Sequence, residues 1–279
     1  ALGTGQVTLA GNTAQLTLAD GITVANAMLL TSTGGLMARN VQLQAGATSA
    51  TYAGAISNLS TNTLAFAIDA GGTLTVSGII SGNGLSKTGD GTAILSGANT
   101  YTGATTVSAG TLQIASESNL GAVPGSFVAG QLALGAASTQ GILKSTGTTS
   151  LSANRGVTLA AGGGAFDVAA STTLTIASAV TGTGALTKSG AGLLDLKMGT
   201  PQYGGTTTIN GGTLRLSGAG ARLGAPAATT QTVIRQGAML DVNAAGASTS
   251  LYTGGPTQPL IVLGPLTGSG LLDNSSATA

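Results

Sequence analysis

The chain's capacity for chemistry rests on eight acidic and nine basic side chains, because it has no histidine and no cysteine. Ser-His-Asp and Cys-His catalysis are excluded, since neither the base nor the thiol exists. Zinc centres built on those ligands are excluded with them. The acids are Asp20, Asp69, Asp90, Glu117, Asp167, Asp195, Asp241 and Asp273. A paired-carboxylate hydrolase needs two of them within roughly 5 to 10 Å. Asp167, Asp195 and Asp241 are the best placed, each flanked by two apolar residues, as in Leu194-Asp195-Leu196. In a strand that position faces outward, and stacked segments bring such residues together as in β-helical polysaccharide enzymes. Solvated outward charge is the plainer reading. No residue is assigned to catalysis, to a cofactor or to a metal, and the ligand-contacting residues stay unassigned.

Other residues invite a chemical reading and a plainer one. Lys87 and Lys188 recur between an apolar run and a glycine turn. They are expected to be solvated turn residues that deter sideways strand pairing, with a ligand role as the alternative. Tyr101 and Tyr203 are either exposed contacts or rings packed on a turn. Gly162-Gly163-Gly164-Ala165-Phe166-Asp167 looks like one calcium-binding nonapeptide unit with Ala165 where glycine is expected. That motif works in tandem, so a turn entering a strand is the expectation. Gly82-Asn83-Gly84 and Gly182-Thr183-Gly184 lead into no helix, so they lack the context of a phosphate cradle. Ile94 faces outward beside Ala93 and Leu95, marking a lateral contact or a bend.

The elements that must position these residues are short strands. Leu74 and Val76, Leu112 and Ile114, Leu174 and Ile176, and Leu214 and Leu216 each bracket a polar residue. Period-two alternation with one apolar face is a strand signal, and it recurs about every twenty residues. Above it lies a longer period. The stretch 71–121 returns edited at 171–224, with Thr73-Leu74-Thr75-Val76 answered by Thr173-Leu174-Thr175-Ile176 and Gly110-Thr111-Leu112 by Gly212-Thr213-Leu214. Leu266 to Leu271 matches Ile80 to Leu85 and opens a third copy. Residues 1–70 carry the same grammar more loosely, in Val7-Thr8-Leu9, Val41-Gln42-Leu43 and Leu64 to Ile68. The least strand-like part is Ala25 to Asn40, where Met28-Leu29-Leu30 is a core edge or a short excursion.

Composition narrows the classes. Charged residues make up 6 % and aromatics 3 % of the chain, glycine numbers 47, and the net charge is +1. Without a basic stripe or stacking aromatics, nucleic-acid binding is not expected. Every apolar run is interrupted well short of the ~20 residues a membrane helix needs, and three Phe with four Tyr cannot build the aromatic girdles of a barrel. A surface tiled with Thr, Ser, Asn and Gln supplies the hydration that charge does not. The chain opens at Ala1 without a signal-peptide pattern, and is expected to be a fragment of a longer, processed protein. The absence of cysteine fits passage through an oxidising space.

Regular short strands without two-residue hairpin loops favour a solenoid over a meander. The expectation is an all-β, single-stranded parallel β-helix, one elongated body over residues 1–279. At about twenty residues per coil it has about fourteen coils and is about 65 Å long.

The string Leu85-Ser86-Lys87-Thr88-Gly89-Asp90-Gly91, with Leu95 through Val107 and Gly110-Thr111-Leu112, resembles the autotransporter-associated β-strand repeat of Gram-negative autotransporter passengers. The second copy, Leu186 to Gly192 with Tyr203 to Leu214, is similar but degenerates at Lys197 to Gln202. The resemblance implies a right-handed parallel β-helix exported through a C-terminal outer-membrane barrel of the same precursor, with a repeat that assists secretion and folding. The function expected is a non-enzymatic cell-surface stalk or adhesin, attached or released. Its partner is a ligand on a host cell, a neighbouring cell or the matrix. A self-associating structural fibre or biofilm-matrix protein is the alternative, and a polysaccharide-active β-helix enzyme a more distant one. Ice binding by aligned threonine columns suits the same geometry. No cofactor is expected.

Overall fold

The computed structural model describes residues 3–11, 14–31, 39–197, 202–218, 223–224, 232–242 and 271–273. Each short alternating segment buries one side and pairs in parallel with the segment one coil before and after. The chain is a β-solenoid, and it visits three walls in turn. The second wall is a nine-stranded sheet and the third a ten-stranded one. The first wall comes in two parts: four strands from Val7–Leu9 to Ile80–Gly82, then six from Thr149–Leu151 to Leu271–Asp273.

Where the coils are described their length varies about the twenty residues behind the expected count of fourteen. Register partners Thr73 and Thr92 are 19 residues apart, but Gly110 and Gly141 are 31 apart. Among the described residues the second wall is nine strands deep, about 40 Å at the usual inter-strand spacing. The segments singled out in the sequence fall on strands: Val7–Leu9, Leu64–Ala67, Thr73–Val76 and Gly164–Val168. Met28–Leu30 is a first-wall strand with Met28 and Leu30 buried, a core edge and not an excursion. Most of the third repeat copy lies outside the described residues.

The core is a set of columns, each made of register partners. In the second wall Phe66, Lys87 and Val107 stack in order. In the third wall Phe166, Lys188 and Ile209 do the same. Each fully buried Leu, Ile or Phe contributes about 1.5 to 3 kcal/mol, and only the coils on either side make that burial complete.

Between its two sheets the first wall has no strand for two coils. Residues 97–101 and 117–122 fill it, the latter including a 3-10 turn at Glu117–Leu120. Hydrogen bonds keep the column continuous: Thr100 N donates to Ile80 O, Asn99 N to Ser118 O, and Glu117 N to Thr149 Oγ1. Side-chain amides stand in for the missing ladder. Asn99 Oδ1 accepts from Ile80 N at 2.8 Å and its Nδ2 donates to Asn119 O at 2.6 Å. Asn119 Oδ1 accepts from the N–H groups of Ala115 and Ser116, and its Nδ2 donates to Gly97 O.

Candidate functional site

Lys87 and Lys188 overturn the expectation of solvated turn residues: both side chains are fully buried. The period of two explains it, because Lys87 is in phase with Leu85, and Lys188 with Leu186, both of which face the core. The ammonium of Lys87 donates to Thr88 O at 2.8 Å, Gly89 O at 2.6 Å and Ala109 O at 3.3 Å. That of Lys188 donates to Ser189 O at 2.7 Å, Gly190 O at 2.8 Å and Gly211 O at 3.0 Å. The three donors of each ammonium are thus all used. The third acceptor belongs to the following coil, so each lysine ties a corner to its neighbour. Gly89 and Gly190 have φ of 72° and 73°, a region that suits glycine, and a Cβ there would run into the carbonyl of Ile68 or Val168.

Burial pushes each lysine down to about 8, with Asp90 and Asp167 respectively pulling it partly back up. At neutral pH both stay charged. An amine so enclosed cannot reach a solution substrate, so the corners are ties and not nucleophiles.

Tyr101 and Tyr203 are also fully buried, each with its hydroxyl on a threonine four residues on: Thr105 Oγ1 at 2.7 Å and Thr207 Oγ1 at 2.6 Å. The Tyr101 ring lies against Gly121, where a Cβ would meet it; the packed-ring alternative describes it. Burial pushes the phenols of Tyr52, Tyr101 and Tyr203 up to about 12.

Arg155, not singled out in the sequence, is the largest fully buried side chain among the described residues. Its Nε pairs with Glu117 Oε1 at 3.2 Å, and its guanidinium donates to the carbonyls of Leu120, Gly121 and Ala122. Glu117 Oε1 also accepts from Ser152 N. The planar fork of Arg satisfies several acceptors at once, and here it pins the strandless part of the first wall. The one signal in the sequence is the phase of Arg155 with Val157 and Leu159, both core residues.

The outward acids divide between walls. Asp195 and Asp241 lie in one first-wall column on either side of Arg215, whereas Asp167 is in the third wall beside Lys144 and Ser189. Arg215 Nε pairs with Asp241 Oδ2 at 2.6 Å, and Ser217 Oγ donates to Asp195 Oδ1. Asp195 and Asp241 are buried, so these are not the free solvated charges expected. In the ladder Arg215 stands between the two acids, pairing with Asp241 while Asp195 takes the Ser217 hydroxyl. Among the described residues no three metal-ligating side chains converge. Gly163, at φ 88°, turns into the strand Gly164–Val168, which is the turn expected there. Ile94 lies in the third wall's outer column between Thr75 and Gln113, half-buried.

The residues that recur between copies are those of the corners, and comparison with known proteins finds the same segments. The family described as the passenger-associated-transport-repeat matches residues 85–114 and 186–216. The chain is 40 % identical over 153 residues to a protein of Brucella suis biovar 1 (strain 1330) named adhesin BmaC autotransporter, across 53 % of this chain and 4 % of that protein. This chain thus corresponds to a small part of that relative's length. No solved structure matches the chain. The two matched segments carry the lysine corners and the buried tyrosines, so the chain holds two segments that match the passenger-associated-transport-repeat and, over about half its length, is similar to part of an autotransporter adhesin.

Proposed function

We propose that this segment belongs to the projecting part of a cell-surface adhesin, a non-enzymatic rod exported through an outer-membrane barrel of the same precursor. The observation that carries the reading is where the repeat spends its defining residues. Lys87, Tyr101, Lys188 and Tyr203 all point inward and none is exposed, so the repeat builds the rod and leaves recognition to the outer columns. Those columns are free to differ: Ile94 and Gln113 in the first copy correspond to Asp195 and Arg215 in the second. The likeness to a protein named as an adhesin supports the same role, with a ligand on a cell surface or matrix.

The repeat also serves export and folding at the surface, since Lys87 and Lys188 complete their hydrogen bonds only when the following coil is laid down. The test is display of the chain on a non-adherent cell or on beads, followed by retention on host-cell monolayers and matrix proteins. Retention that falls when Ile94, Gln113 or Arg215 is replaced by Ala supports the reading. Glycan hydrolysis that disappears with Asp167→Asn, Asp195→Asn or Asp241→Asn would overturn it. Electron microscopy separates single rods, expected here, from the filaments of a structural fibre.

A further inference from the structure

The two copies of the repeat do not occupy the same walls. Strand Leu85–Thr88 is in the second wall, whereas its counterpart Leu186–Ser189 is in the third. The shift holds along the module. Thr73–Val76 and Thr92–Leu95 are in the third wall, and their counterparts Thr173–Ile176 and Leu193–Leu196 are in the first. Ile80–Gly82 is in the first wall and Val180–Gly182 in the second.

From Lys87 to Lys188 the chain thus makes four full coils and one wall more. Such a shift is possible only if the interior looks alike from all three sides. Two of the three corners are alike in this sense, since the same lysine is caged by equivalent carbonyls where the second wall turns into the third and where the third turns into the first.

We propose that the repeat is a rotary module: each copy turns everything beyond it by one wall about the rod axis, and three copies restore the original facing. Repeat number then sets the direction in which an outer column faces as well as how far it projects. The neutral column of Ile94 and Gln113 and the charged column of Asp195 and Arg215 occupy one position in the module, yet they face different sides of the rod. A partner approaching from one flank meets one of them. This deepens the projecting-rod reading, but its geometry stands without any adhesive activity.

The chain's lack of cysteine gives a clean test. Deleting residues 88–188 joins Lys87 to Ser189 and restores the local sequence Lys188-Ser189. In the parent chain Ser86 pairs with Thr106, whose counterpart in the second copy is Thr208. The deletion should therefore place position 208 beside position 86 in the second wall. Adjacent parallel strands, about 4.8 Å apart, are within disulfide reach.

With Ser86→Cys and Thr208→Cys, oxidation of the deletion variant is expected to give an intramolecular disulfide and a gel-mobility shift. The full-length chain with the same pair gives none, and full-length Ser86→Cys/Thr106→Cys is the positive control. A deletion variant that folds without the cross-link, or that fails to fold, overturns the interchangeability of the walls. Spin labels in the full-length chain test the facing separately. The pair 86 and 181, four strands apart in the second wall, should be closer than the pair 86 and 187, and the reverse order would also sink the proposal.

Discussion

The ammonium of Lys87 rests on the carbonyl of Ala109, 3.3 Å away in the following coil, so one side chain closes a corner and joins two coils. Lys87→Ala leaves one buried and two part-buried carbonyls without this donor and a void between Phe66 and Val107. An unpaired buried polar group costs about 1 to 3 kcal/mol, and a deleted core side chain about 2 to 5 kcal/mol. A loss of about 3 to 5 kcal/mol is expected, read as a lower urea midpoint. Lys87→Met, which refills the volume, should recover part of it. Lys188→Ala should behave alike, and with the sites four coils apart the two losses should add.

The same burial makes stability depend on pH. Each buried lysine is pushed down to about 8, whereas an unfolded lysine titrates near ~10.4. Between those values the unfolded chain keeps a proton that the folded one has released, so stability rises with pH from about 8 to about 10. The phenols act in the opposite sense: Tyr52, Tyr101 and Tyr203 are pushed up to about 12, against ~10 unfolded. Above pH ~10 the unfolded state sheds protons that the folded state holds, and stability falls. A maximum near pH 10 is expected in urea midpoints. The rising limb should disappear in Lys87→Met/Lys188→Met, and tyrosinate absorbance should lag in the folded chain.

The alternation of Leu74 and Val76 around Thr75 was enough to give strands, and their recurrence gave parallel coils, because a period of two admits only one buried face. Coil length was not legible, since insertions such as the one before Gly141 extend corners without disturbing the columns. The charge of Lys87 argues for solvent, but its phase with Leu85 places it in the core. What settles the burial of a lysine is whether carbonyls converge on it, and Ala109 O comes from a part of the chain twenty-two residues away. The same holds for Arg155, whose carbonyl partners lie more than thirty residues away. The Asn99 and Asn119 amides replace a ladder that no local pattern announces as missing.

Tyr101 and Thr105 form a hydroxyl pair inside the core, 2.7 Å apart and without solvent. Tyr101→Phe removes one partner and strands the Thr105 hydroxyl, an expected cost of about 1 to 2 kcal/mol. Thr105→Val should cost a similar amount by stranding the phenol. The double variant should cost clearly less than the two single losses together, because no polar group is then left unpaired. A double-mutant cycle in chemical denaturation measures the difference, and simple additivity would show that the pair is not coupled. Tyr203 and Thr207 should give the same result.

Arg155 holds together the stretch of the first wall that has no strands, and its loss should be felt there first. Arg155→Met leaves Glu117 and the carbonyls of Leu120, Gly121 and Ala122 without their donor. Breaking a buried ion pair from one side costs about 3 to 5 kcal/mol. Arg155→Lys should recover little, because a single ammonium cannot span the carboxylate and three carbonyls that the fork reaches. In a solenoid, contacts run only between neighbouring coils, so the defect should stay local. Limited proteolysis should cut between residues 115 and 130 in the variant, and leave the lysine-bearing coils around 87 and 188 protected. Protection lost uniformly along the rod would mean that the coils unfold as one unit and that Arg155 has no local role.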